Sequence, residues 1–106
     1  MNPFLPSEAF GPTPDAQRPV DVTTTPTTLN LSSATRLGQN LRIMVSGTQE
    51  IAWAYGAGVA GLTMDNGVPM VGNTVEVFGA PEGTTAITVV AGANGSKMRV
   101  SVGEGN

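Results

Sequence analysis

Apolar and polar residues alternate with a period of two along much of the chain from residue 20 onward, which predicts strands rather than helices. Asn40–Ser46 puts Leu41, Ile43 and Val45 on one face. Glu50–Tyr55 puts Ile51, Trp53 and Tyr55 on one face and alanines on the other. Asn73–Phe78 sets Val75 and Val77 against Glu76. Ala86–Val90 and Lys97–Val102 follow, the latter with Met98, Val100 and Val102 opposite Lys97, Arg99 and Ser101. Thr27–Leu31 reads as an earlier strand with Leu29 and Leu31 inward. No segment carries a helical period of any length; Ser32–Leu37 has room for a single turn ending at Gly38.

The connectors have turn chemistry. Ser46-Gly-Thr-Gln49 has hairpin length, and Asp65-Asn66-Gly67 can supply the positive φ of a tight turn. Pro81-Glu-Gly83 and Ala93-Asn-Gly95 serve in the same way. Short strands at regular spacing predict an all-β fold, a single small β-sandwich or jelly-roll-like domain over residues 20–106. Its core would take the inward residues above together with Leu62, Val75 and Val77.

Residues 1–19 break this texture. They hold five of the eight prolines, Pro3, Pro6, Pro12, Pro14 and Pro19. Proline fixes its own φ and pushes the preceding residue toward extended geometry, so an extended arm outside the sandwich is expected here. The arm carries Phe4, Leu5 and Phe10, apolar side chains for which a solvated leader has no use. Two readings stand: a disordered leader, and an arm that binds a neighbouring subunit through those three residues.

Composition narrows the function. Only 12% of the residues are charged, about half the usual share, which suits a surface packed against neighbours or a compact domain rich in Gly and Thr. The net charge is −3, and the five cations (Arg18, Arg36, Arg42, Lys97 and Arg99) are scattered. Nucleic acid needs clustered cations, so no nucleic-acid partner is expected. The uncharged stretch Ile51–Met64 is too short and Gly-rich to span a bilayer, and Met1–Phe10 lacks the pattern of a signal peptide. A soluble protein made in a cytoplasm, without a membrane partner, is the expectation.

There is no Cys and no His, so disulfides, thiolate chemistry, Ser-His-Asp triads and the common zinc sites are ruled out. Gly56-Ala-Gly-Val-Ala-Gly61 matches G-x-G-x-x-G, but a turn signal and Pro69 arrive where a dinucleotide-binding helix would have to begin. Asp65, Glu76 and Glu82 could pair for glycoside hydrolysis only if the fold joined them; as turn residues they read as solvated. Asp65-Asn66-Gly67 is a fragment of a calcium loop without its other ligands, and Asn30-Leu-Ser32 and Asn94-Gly-Ser96 are glycosylation sequons without a secretion signal. No enzyme, cofactor or metal is expected. Trp53 and Tyr55, the only Trp and Tyr, form either a stacking platform for a sugar ring or a core anchor.

Asn40-Leu-Arg-Ile-Met-Val-Ser-Gly47, Leu62-Thr-Met-Asp-Asn-Gly-Val-Pro-Met70 and Asn73-Thr-Val-Glu-Val-Phe78 give the stretch from Leu41 to Gly105 a distinct texture. Thr84-Thr-Ala-Ile-Thr-Val-Val90 and Val100-Ser-Val-Gly-Glu-Gly105 continue it. It resembles the small β-rich virion proteins of tailed bacteriophages, the capsid decoration or cement proteins with a jelly-roll-like sandwich. The resemblance is one of pattern and carries no functional residue across. It implies a structural protein on the outside of a capsid lattice that bridges major capsid proteins or other virion proteins. It also implies a homo-oligomer, with a trimer favoured. The alternative is a carbohydrate- or receptor-binding β-module of a fibre or tail adaptor.

Overall fold

A computed structural model describes residues 5–6, 18–31 and 34–104, with the backbone alone at 5–6. Nine strands form: β1 (Leu5–Pro6), β2 (Val20–Val22), β3 (Thr27–Asn30), β4 (Asn40–Ser46), β5 (Ile51–Tyr55), β6 (Val68–Met70), β7 (Thr74–Gly79), β8 (Ala86–Ala91) and β9 (Ser96–Glu104). There is no helix among the described residues. The six strands read from the alternation are all present. The period misses β2 and β6, which are only three residues long and lie beside Pro19 or around Pro69.

The pairing follows one rule. β2 pairs with β9, β3 with β8, β4 with β7 and β5 with β6, all antiparallel. The chain is thus one long nested hairpin whose tip is the loop between β5 and β6. Rolling that hairpin up brings β4 against β9 and β5 against β8. The result is a larger sheet, β9-β4-β7 with β1 and β2 both on the far side of β9, facing a smaller one, β3-β8-β5-β6. This is jelly-roll connectivity.

The roll corrects one turn assignment. Ser46–Gln49 is not a hairpin, because β4 lies in the larger sheet and β5 in the smaller. The connection crosses between the sheets, and so does every other short one from β2 onward. Two buried hydroxyls tie such crossings together beside their main-chain hydrogen bonds, and a third ties down the loop between β5 and β6. Ser96 Oγ accepts from the Gln49 N–H and donates to its carbonyl, both at 3.0 Å. Thr35 Oγ1 accepts from the Thr84 N–H at 2.9 Å and donates to the Pro81 carbonyl at 2.6 Å. Thr88 Oγ1 accepts from the Val59 N–H at 3.1 Å and donates to the Gly56 carbonyl at 2.8 Å. Each hydroxyl uses its donor and an acceptor, so its burial carries no unmet polar cost. At Gly47, with φ of 102°, a Cβ would run into the Gly95 carbonyl, so two crossings meet there at backbone contact.

The core between the sheets takes Leu41, Ile43 and Val45 of β4 and Met98, Val100 and Val102 of β9. Leu29, Ile51, Trp53, Ile87 and Val89 face them, and Val22, Met70 and Ala91 join where no strand was expected or the alternation ended. β7 has the opposite phase to the one expected. Thr74, Glu76 and Phe78 stand opposite Val45, Ile43 and Leu41, so they share the inward face. Val75 and Val77 are turned outward, Val75 46% exposed. Phe78 accounts for the phase: its ring packs edge-on against Trp53 with centroids 5.0 Å apart. Glu76 tolerates an inward register because β7 is an edge strand, from which its carboxylate reaches water.

The arm also departs from expectation at one point. The backbone of Leu5–Pro6 joins the larger sheet, paired with Glu104 and Gly103 of β9. Pro6 sits there on an outer edge, where a missing N–H is tolerated. Phe4 and Phe10 lie outside the described residues, as does the side chain of Leu5.

Candidate interaction surface

The two sheets present different outer faces. On the smaller sheet, Ala52, Thr88 and Val90 point outward yet are buried, because the loop over residues 56–67 folds back across them. Leu62 is buried in this second cluster, outside the main core, with Val59 and Met64 half-buried beside it. The loop is pinned by Gly58 N–H donating to Thr28 Oγ1 at 2.9 Å and by the Thr88 clasp. Asn66 closes its far end, accepting from the Thr63 N–H at 2.8 Å and donating to the Gly61 carbonyl at 2.8 Å. The G-x-G-x-x-G match is therefore part of a covering layer, with left-handed φ at all three glycines and no helix behind it. Gly67 does not supply a positive φ as expected. It is required for close approach, since a Cβ there would lie 2.9 Å from both Ala52 Cβ and Leu62 Cδ1.

The outer face of the larger sheet has no such layer among the described residues. Its register sets Val75, Met44 and Arg99 in one row and Val77, Arg42 and Ser101 in the next. Arg42, Met44, Arg99 and Ser101 surround a depression of about 260 Å³. Lys97 and Asp21, paired one row further on, form an exposed ion pair at 2.9 Å. Exposed pairs of this kind contribute little to stability. The face thus mixes aliphatic and cationic groups, which suits protein contact better than chemistry. Sequence reasoning missed it because it read Val75 and Val77 as core.

Trp53 and Tyr55 are joined, but not as a platform. Trp53 is wholly buried between the sheets, with no ring face left for a ligand. Tyr55 meets it edge-on at 4.9 Å and is 37% exposed. The Tyr55 hydroxyl donates to the Gly79 carbonyl at the end of β7, tying the two sheets together. Burial pushes the phenol pKa above its ordinary value. The indole Nε1–H of Trp53 is buried without an acceptor. Asp65, Glu76 and Glu82 are all exposed, on a loop, a strand and another loop. No group of three acidic residues among the described ones is placed to hold a metal ion.

Comparison with protein-family models, with curated proteins and with solved structures returned no match.

Proposed function

We propose that the chain is a structural virion protein, binding and stabilising the surface of a bacteriophage capsid as a decoration or cement protein. In this reading its N-terminal arm contacts neighbouring subunits. The observation that carries the reading is the asymmetry of the two outer faces. One is sealed by the chain's own loop; the other carries Arg42, Met44, Val75 and Val77 toward solvent. A second support is analogy alone: jelly rolls occur in capsid shells and in lectins, and a fold does not by itself assign a function. The carbohydrate-binding alternative relied on Trp53 and Tyr55 as a platform, and Trp53 offers no accessible face. The arm supplies the rest of the argument. Phe4 and Phe10 would each gain roughly 1.5–3 kcal/mol on full burial in a partner, less the cost of ordering the segment.

The test is co-sedimentation of the purified protein with shells that lack it, made from the genome that encodes it. The full chain is expected to sediment with the shells. Replacing Phe4 and Phe10 together by Ser is expected to abolish that without moving the thermal midpoint. A full chain that stays in the supernatant at saturating concentration sinks the proposal. Retained binding by the double variant removes the arm from it.

A further inference from the structure

A rolled hairpin leaves four sheet edges, and in this molecule they are treated differently. On the larger sheet, the side beyond β9 is broken between β1, which contains Pro6, and β2, which follows Pro19. On the smaller sheet, β6 carries Pro69 at its centre. β3 follows Pro26 and receives the covering loop at Thr28. Proline and coverage are the devices by which proteins keep open edges from pairing. β7 has neither. It is the longest of the edge strands, six residues without proline.

The ladder shows which groups of β7 are open. The Ala80 N–H donates to the Gln39 carbonyl at 3.2 Å, which sets the phase of the β4–β7 pairing. Arg42↔Val77 and Met44↔Val75 are then non-hydrogen-bonded pairs. The N–H and C=O of Val75 and Val77 point away from β4, into the open edge. Gly79 belongs to the same set, with its carbonyl taken by Tyr55.

We infer that β7 is a self-association edge, pairing antiparallel with β7 of a second copy about a two-fold axis at Val77. That register lets the two Val77 residues exchange both main-chain hydrogen bonds and sets each Val75 opposite Gly79 of the second copy. On the inward face it sets Glu76 opposite Phe78 of the second copy. Moving the axis by one residue toward the N-terminus would set Glu76 directly opposite its own copy, a like-charge pair that costs stability. The favoured register also covers Val75 and joins the outer faces of both larger sheets into one surface. The contact is smaller than the roughly 1,600 Å² of a standard interface, so it is weak in dilute solution and strengthens where copies are concentrated. It gives a two-fold pair rather than the trimer implied by the phage resemblance, and it does not depend on the virion reading.

The experiment is analytical ultracentrifugation of the full chain from micromolar to millimolar concentration, with amide exchange at Val75 and Val77 followed by NMR. A concentration-dependent dimer is expected, with those two amides protected in it and exchanging freely on dilution. Val77→Pro removes an N–H that β4 does not use, so it should stay folded and monomeric throughout. Should it fail to fold, Val77→Lys, which places two cations at the axis, is expected to weaken the dimer by about tenfold or more. Glu76→Gln is expected to leave the affinity within about twofold of wild type. A wild-type chain that is monomeric at the highest concentration overturns the inference. So does a dimer in which the Val75 and Val77 amides exchange freely. Marked tightening by Glu76→Gln overturns the register.

Discussion

Replacing Trp53 separates two contributions that its burial combines. Its ring is fully buried, edge-on to Tyr55 at 4.9 Å and to Phe78 at 5.0 Å. Trp53→Ala deletes the largest side chain of the core and should cost about 3–5 kcal/mol. Domains of this size hold only about 5–15 kcal/mol in total, so that variant should unfold at a much lower denaturant concentration than the wild type. Trp53→Phe keeps one ring and much of the edge-on packing. It also removes an indole N–H that is buried without an acceptor. Leaving such a donor unmet costs about 1–3 kcal/mol, and deleting it recovers that amount against the loss of ring volume. The net cost of Trp53→Phe should then be about 0–2 kcal/mol, at least about 1 kcal/mol less than that of Trp53→Ala. Urea denaturation followed by far-UV circular dichroism measures both, since Trp53 is the sole tryptophan and its fluorescence is lost in either variant. Equal costs for the two variants would refute the argument, because they would mean that the indole nitrogen makes an interaction worth as much as the second ring.

The other expectations concern the loop, the close approach at Gly67 and the phenol. Thr88→Val keeps the shape but strands the Gly56 carbonyl and the Val59 N–H, so it should cost about 1–3 kcal/mol; hydrogen exchange should quicken first in residues 56–67, and uniform quickening would count against a local clasp. Gly67→Ala puts a methyl against Ala52, Leu62 and the Trp53 backbone and should cost about 1–3 kcal/mol, read from the thermal midpoint; an unchanged midpoint would show that the loop shifts freely. Tyr55 has a raised pKa and donates to Gly79 only when protonated. The folded state therefore holds its proton more tightly than the unfolded state, and the stabilisation is complete below about pH 10, the ordinary tyrosine value, and is lost as pH rises through the folded pKa. Tyr55→Phe should flatten the alkaline limb of the stability profile, and an identical limb in both proteins would exclude Tyr55 as its source.

Much of the fold was legible because one simple period governs it. Strands of five residues or more, with one face on the core, show their alternation plainly, and β4 and β9 show it best. What the period could not convey is phase at an edge. In β7 both faces carry apolar residues, Val75 and Val77 on one and Phe78 on the other, and the count of valines pointed the wrong way. The choice depends on a partner 25 positions earlier in the chain: Trp53, on β5, gives Phe78 an aromatic contact that no local pattern encodes. Loop length misled at Ser46–Gln49 for a related reason, since four residues fit a hairpin and a crossing equally well. The buried hydroxyls of Thr35, Thr88 and Ser96 were invisible because Thr and Ser are frequent in this chain and only the fold brings these three to their partners, in the crossings for Thr35 and Ser96 and in the β5–β6 loop for Thr88. The candidate surface was illegible for the same reason as the phase of β7, because its aliphatic part had been assigned to the core.

These features give the molecule a closed side and an open side. β8 is buried over all six residues, with Ile87, Val89 and Ala91 in the main core and Ala86, Thr88 and Val90 turned to the outer side, where the loop packs on Val90 and clasps Thr88. β7, at the opposite extreme, has one strand neighbour among the described residues and two outward-facing valines. A domain of this length buries only about 60–65% of the surface of its unfolded chain, so each added layer matters to its stability. The loop is such a layer for the smaller sheet, and it is built from the chain itself. On the larger sheet any equivalent layer has to come from outside the described residues, whether from the arm, a second copy or a lattice. The two sides should therefore respond differently to mutation. Changes at Leu62, Thr88 or Gly67 act on an internal layer and should register as lost stability in the isolated protein. Changes at Arg42, Val75 or Val77 remove little internal contact and should register in association, with the melting curve of the dilute monomer nearly unmoved.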